Sequence, residues 1–338
     1  MNNAITAMQE YRLNNDVPTK TKTSIRRQLL TTASALVIAS AVFGTPLTAR
    51  AEPASDKMWL SIEAQRYFVE GDDQIWTELS NGVTSSGIFN IDADDGWGGR
   101  VGVGIPVMPG LSVAAFARFG RTGDAKDQAA IAPGGPLYLY NVLGGGNPTF
   151  YYTGSVTHKE RHSIIDFEAR QDVGLGMGIE ATIKGGVRFA KFEADTDTTL
   201  YYSPGLILNE SRRTNFRGTG PRIGVDARIP VMAGVKLDLS GSGSYLWGKK
   251  RIKSFAAGGY VAAGGANVSN NDEVWNIEGS AAVTWVMAGA EISAGVRGEH
   301  WSGVFDQTRL FAFNSTLGDA NADRTLWGPF VRLTLTTN

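Results

Sequence analysis

Arg222-Ile223-Gly224-Val225-Asp226-Ala227-Arg228-Ile229 leads through Pro230-Val231-Met232-Ala233-Gly234 into Val235-Lys236-Leu237-Asp238-Leu239-Ser240, and the pattern runs on to Trp247. Ile223, Val225, Ala227 and Ile229 alternate with Arg222, Gly224, Asp226 and Arg228. After the tight connection Val235, Leu237 and Leu239 alternate with Lys236, Asp238, Ser240, Ser242 and Ser244. Successive side chains of a strand point to opposite faces, so this hairpin has one apolar face and one charged or small face. A water-soluble sheet needs a second layer over its apolar face, and the chain has little left from which to build one. The same unit occurs earlier, where Gly99-Arg100-Val101-Gly102-Val103 runs into Ile105-Pro106-Val107-Met108-Pro109-Gly110 and then Leu111, Val113, Ala115 and Ala117. Hairpins repeated around a polar interior, apolar face outward, predict a membrane β-barrel.

Composition agrees. The 338 residues include 42 glycines and no cysteine, and the formal net charge is −1. Without cysteine there are no disulfides, no thiolate catalysis and no thiolate metal sites. Mean hydropathy is −0.13, a value that looks soluble only because barrels interleave apolar and polar residues. No stretch of 18 or more apolar residues is present, which excludes helical spans, and the charge offers no basic footprint for nucleic acid.

Residues 1–51 read as an export signal. Lys20, Lys22, Arg26 and Arg27 form the positive region, Leu29 to Phe43 the apolar one, and Ala49-Arg50-Ala51 the cleavage site. Removing them takes away six Lys/Arg and two Asp/Glu, leaving 26 basic against 31 acidic residues in a mature barrel of residues 52–338 with net charge −5. Ten strand candidates follow, at roughly 58–68, 97–105, 111–119, 162–171, 179–191, 217–229, 235–247, 274–285, 291–301 and 325–336. Each approaches the roughly 9–11 residues that a tilted strand needs to cross a bilayer. Short glycine- and proline-rich turns alternate with long polar stretches at about 69–96, 120–161, 192–216, 248–273 and 302–324. Short turns belong on the periplasmic side and long loops outside. The prediction is thus an all-β, antiparallel, up-and-down transmembrane barrel of about ten strands. Leu137-Tyr138-Leu139-Tyr140 and Phe150-Tyr151-Tyr152 in the longest loop supply an extra hairpin for a twelve-strand alternative. Trp97, Trp247, Trp275, Trp301 and Trp327 lie where strands meet long loops, and Trp59 and Trp285 near the other rim, as two aromatic girdles would place them.

The run Asp166-Phe167-Glu168-Ala169-Arg170 through Gly185-Gly186-Val187-Arg188-Phe189-Ala190 resembles the Legionella major outer-membrane protein family, as does Trp327-Gly328-Pro329-Phe330-Val331-Arg332-Leu333. That resemblance covers most of residues 57–338 and implies a pore-forming barrel in a Gram-negative outer membrane. Outer-membrane lipid, lipopolysaccharide and the barrel-assembly machinery are the partners it implies. One departure is the terminus Thr336-Thr337-Asn338, where such barrels usually end in an aromatic residue.

The inward parity collects Arg100, Arg118, Asp166, Glu168, Arg170, Glu180, Lys184, Arg188, Arg222, Asp226, Arg228, Lys236, Asp238, Glu278, Arg297 and Glu299 as candidate pore-lining residues. Their signs nearly balance, so paired charges are expected in the lumen. Eight strands give an interior that side chains just fill and 16–18 an open channel, so ten predict a narrow, partly filled bore. A narrow pore for ions or small solutes and a filled structural or adhesion barrel, binding lipopolysaccharide or extracellular partners through its long loops, both fit, and the resemblance favours the pore. Enzymatic activity is not expected. His162 with Ser163, and Glu299 with His300 and Ser302, are the residues from which a rim hydrolase could be drawn, and His158 lies near them. Asp92-Ala93-Asp94-Asp95-Gly96 lacks the glycine position and closing glutamate of a calcium loop, and Gly144-Gly145-Gly146 lacks the Lys-Ser/Thr of a phosphate loop. No cofactor or metal is expected.

Overall fold

A computed structural model describes residues 57–71, 78–80, 85–87, 93–130, 138–139, 149–150, 153–175, 178–202, 206–258, 261–309 and 318–337. Residues 1–51, read from the sequence as an export signal, together with Asp92 and Gly144-Gly145-Gly146, lie outside the described residues. Ten strands form the wall: β1 Trp59–Gly71, β2 Gly96–Met108, β3 Leu111–Thr122, β4 Thr153–Gly174, β5 Glu180–Tyr202, β6 Leu206–Met232, β7 Val235–Gly258, β8 Val261–Met287, β9 Ala290–Arg309 and β10 Gly318–Thr336. Each pairs antiparallel with the next, and β10 closes on β1 from Trp59 opposite Thr336 to Gly71 opposite Arg324. Closure leaves no free edge, a requirement for any sheet in hydrocarbon.

Three of the tight turns repeat one device. Met108-Pro109-Gly110, Met232-Ala233-Gly234 and Met287-Ala288-Gly289 each reverse the chain at a glycine, with φ of 78°, 74° and 75° respectively. Left-handed backbone of this kind suits glycine because no Cβ meets the following carbonyl.

Ten strands close the barrel, as the sequence predicts. The hairpin proposed for twelve does pair, Tyr138 opposite Phe150, but in a separate small sheet with Glu78–Ser80 and Ser85–Gly87. Ala125–Ala130 adds a further short strand along the upper part of β4. The stretches read as loops at 192–216 and 248–273 are instead largely strand. There β5, β6, β7 and β8 continue their ladders, reaching 27 residues in β6 and β8. At ~3.4 Å per residue and a tilt of ~40°, such a strand rises about 70 Å, far more than the ~25 Å apolar band needs.

The outer face changes character partway up. Ile183, Val187, Phe189, Ile223 and Val225 point outward, Ile223 at 72% exposure. Such exposure of large apolar groups in a row marks a lipid-facing surface. Above Phe189 the alternation inverts. Phe192 and Ala194 point inward and are buried, while Glu193 and Asp197 face out. The upper wall is therefore built like a soluble sheet, apolar inside and charged outside, and the lower wall is the reverse.

Candidate functional site in the barrel lumen

All sixteen candidate lining residues project to the inner side of the wall, where they form two charged tiers. In the lower tier Lys236 bonds Glu180 at 3.0 Å near the turn side. Asp226 accepts from Lys184 at 2.6 Å and Arg170 at 2.8 Å. Arg228 reaches Asp238 and Glu291, both at 2.9 Å, and the Thr284 hydroxyl donates to Asp238 at 2.7 Å.

The middle tier is denser. Arg118 donates to Glu299 at 2.8 Å and to Glu278 at 2.9 Å. Arg188, wholly buried, donates to Asp166 at 2.7 and 2.9 Å, to Asn276 at 2.5 Å and to Glu278 at 3.0 Å. Arg222 pairs with Glu168 and, at 3.5 Å, with Glu278. Arg297 meets Glu63 at 2.9 Å, and Arg100 lies 3.8 Å over the Phe116 ring. Arg118 belongs to β3 and Glu278 to β8, five strands apart in a ring of ten, so this ion pair crosses the bore from one side to the other.

An apolar tier lies beside these charges: Ile164, Phe192, Phe216, Leu246, Val274, Trp301 and Phe305 are packed together inside. Phe192 meets Trp301 edge-on at 4.6 Å. Glycine makes room for such rings. A Cβ at Gly98 or Gly120 would sit 2.3 or 2.6 Å from the Tyr67 ring, and Tyr67 is buried between them. Further from the turns, Arg324 donates to Glu160 at 2.9 and 3.0 Å, with His158 at 3.0 Å. Burial raises the Glu160 pKa, but the Arg324 charge and the His158 hydrogen bond outweigh it and hold the carboxyl at about 2. A water-sized cavity is bounded there by Tyr67, Glu160, His162, Phe192 and Arg324.

The placement of two girdle tryptophans needs correction. Trp301 is not a girdle residue but wholly buried, donating to Glu299 at 3.0 Å. Its parity on β9 matches that of Arg297 and Glu299, a signal that was present in the sequence. Trp59 likewise turns inward against Phe116, at 5.6 Å between ring centroids, whereas Trp97, Trp247, Trp275 and Trp285 face outward. The residues from which a rim hydrolase could be drawn split between the two faces of the wall, although His300 and Ser302 share Asp323 on the outside, at 3.8 and 3.2 Å. His162 turns its ring toward Tyr67 and Phe192 while neighbouring Ser163 points to the other face, and His300 packs outside on Trp275 while Glu299 points in. Strand alternation separates His162 from Ser163 and Glu299 from His300. Sequence reasoning missed Asn276, Glu160 and Arg324. Among the described residues no group of acids and histidines is arranged to hold a metal ion.

A family model described as the Legionella pneumophila major outer membrane protein precursor matches residues 58–336. The chain belongs to this family. Its match spans all ten wall strands, and it assigns the Legionella major outer-membrane protein fold to a Gram-negative outer membrane. No curated protein sequence matches the chain. Solved structures similar to this family member include the outer membrane protease OmpT from Escherichia coli, at 11% identity and TM-score 0.44, covering 85% of this chain and 98% of that one. A major outer membrane protein from Thermus thermophilus has 11% identity and TM-score 0.36, covering 83% and 99%. The translocator domain of the autotransporter NalP from Neisseria meningitidis has 11% and 0.36, covering 92% and 95%.

Proposed function

We propose that this protein is a sealed outer-membrane barrel: a non-catalytic structural scaffold that closes its own lumen and carries a tall sheet wall above the membrane. The observation that carries this reading is the Arg118–Glu278 pair across the bore, flanked by Arg188 and Arg222 on the same carboxylate. A hydrated ion entering the middle tier must displace charges that already satisfy one another in a low-dielectric interior, and the adjoining apolar tier offers it no ligands. The narrow pore suggested by the family resemblance is the competing reading, and it requires these pairs to part.

Planar-bilayer recording on the refolded barrel separates the two. The sealed barrel gives no steady conductance steps, whereas the double variant Arg118→Ala/Glu278→Ala, with the strut removed, gives irregular leakage. Reproducible ion-selective steps from the unaltered protein would overturn the reading.

A further inference from the structure

Upward along the outside of each strand from the turn side, the first charged side chain beyond the apolar band is Arg121 on β3, Arg161 on β4, Lys191 on β5, Arg217 on β6 and Lys249 on β7. Five consecutive strands thus begin their aqueous face with a cation. Register gathers these residues into one arc. Arg121 lies opposite Arg161, Lys191 opposite Arg217, and Arg217 opposite Lys249.

Like charges directly opposite on a sheet repel and destabilise it, so the arc costs the isolated protein stability. Some of it is offset: Arg161 and Lys191 reach Glu193 at 2.9 and 2.8 Å. Arg121, Arg217 and Lys249 have no carboxylate within ion-pair distance among the described residues. On β8 the nearest outward-facing acid, Glu273, lies opposite Trp247 and accepts from the Tyr245 hydroxyl, while Asp272 pairs with Lys250.

Height sets the partner. Outward Trp247 lies one outward position below Lys249, and exposed aromatic rings of a barrel mark the headgroup level. Two residues of strand rise about 7 Å along its axis, so Arg217 and Lys249 stand in the polar zone of the outer leaflet. On β8, Asn271 lies opposite Lys249 and Ser269 opposite Arg251, adding neutral hydrogen-bonding groups beside the cations.

We propose that this arc is a docking surface for the phosphorylated disaccharide of lipid A, the membrane anchor of lipopolysaccharide. A phosphate between Arg217 and Lys249 offsets their repulsion with charge-assisted hydrogen bonds, and Asn271 and Ser269 meet sugar hydroxyls. The assignment depends on which way the barrel sits in the outer membrane and not on whether the lumen conducts.

Native mass spectrometry of the refolded full barrel in detergent, titrated with bisphosphorylated lipid A, tests it. The unaltered protein retains the lipid, and Arg217→Gln/Lys249→Gln lowers affinity about 30-fold, as expected for two cations removed from an anionic headgroup surface. Either single variant gives about 5-fold, which keeps the test open should the double variant fold poorly. In detergent without lipid A the double variant melts at the same or a higher temperature, because a repulsive pair has been relieved. A purely structural role for these cations predicts a lower one. Lys57→Gln, at the turn side, leaves binding unchanged. Undiminished binding by the double variant would overturn the proposal. Equal binding of dephosphorylated lipid A, or of phosphatidylglycerol, would overturn it too.

Discussion

Glu278→Gln removes one carboxylate from the middle of the lumen while keeping its volume. Five cations surround this level, Arg100, Arg118, Arg188, Arg222 and Arg297, and five carboxylates answer them, Glu63, Asp166, Glu168, Glu278 and Glu299. Glu278 is the member shared by three guanidiniums, at 2.9, 3.0 and 3.5 Å. Its neutralisation leaves one buried positive charge without compensation. Breaking a buried pair by removing one partner costs about 3–5 kcal/mol, because the remaining charge stays desolvated. The assay is urea unfolding of the refolded barrel in detergent micelles, read by the gel shift between folded and unfolded forms. At roughly 3 kcal/mol per molar urea the midpoint should fall by about 1 M or more. The control is Glu180→Gln, whose side chain is 48% exposed in its pair with Lys236, and which should cost under about 1 kcal/mol. A loss at Glu278 no larger than at Glu180 would refute the view that this tier is a desolvated, mutually dependent network.

Other perturbations probe other levels of the fold. Val225→Arg places a charge on the lipid face and should destabilise by about 2–4 kcal/mol in bilayer refolding titrations, while Val225→Leu should be near neutral. Gly98→Ala drives a methyl against the Tyr67 ring and should cost about 1–3 kcal/mol by the same titration. Glu160 titrates from about 4.5 in the unfolded chain to about 2 in the folded one, so its contribution is fully present above the unfolded value and is lost as pH falls through that window. Glu160→Gln should therefore be destabilising at neutral pH, and its difference from the unaltered protein should vanish as the pH approaches 2.

The lower barrel was legible because its pattern is enforced by solvent on both faces. In the hairpin 222–247 lipid demands apolar residues on one parity and the crowded lumen demands polar ones on the other, so Ile223 and Arg222 announce their faces. The upper wall was not legible by the same rule. From Phe192 onward the apolar parity switches from outside to inside, and a search keyed to outward apolar residues sees the pattern stop and reads a loop. Trp301 lies near a strand end as a girdle residue would, but it shares the parity of Arg297 and Glu299, and parity decides which way it points. Charge pairing in the lumen followed from parity and sign balance, but which pairs form did not. Arg118 finds Glu278 across the bore only because ten strands close with this stagger, and shear is a property of the whole ring.

The long-range ion pairs of the lumen also bear on the order of events in barrel assembly. Arg118 and Glu278 are 160 residues apart on opposite walls, and Arg297 on β9 and Glu63 on β1 are 234 apart, so both contacts need the sheet curled into its ring. Interactions that appear only after the rate-limiting step retard the reverse reaction without slowing the forward one. These pairs should then act as a latch: insertion proceeds at a speed set by hairpins and lipid, while escape requires the ion pairs of the middle tier to come apart in a buried interior. Longevity in the membrane, more than speed of arrival, is what this lumen is built to supply.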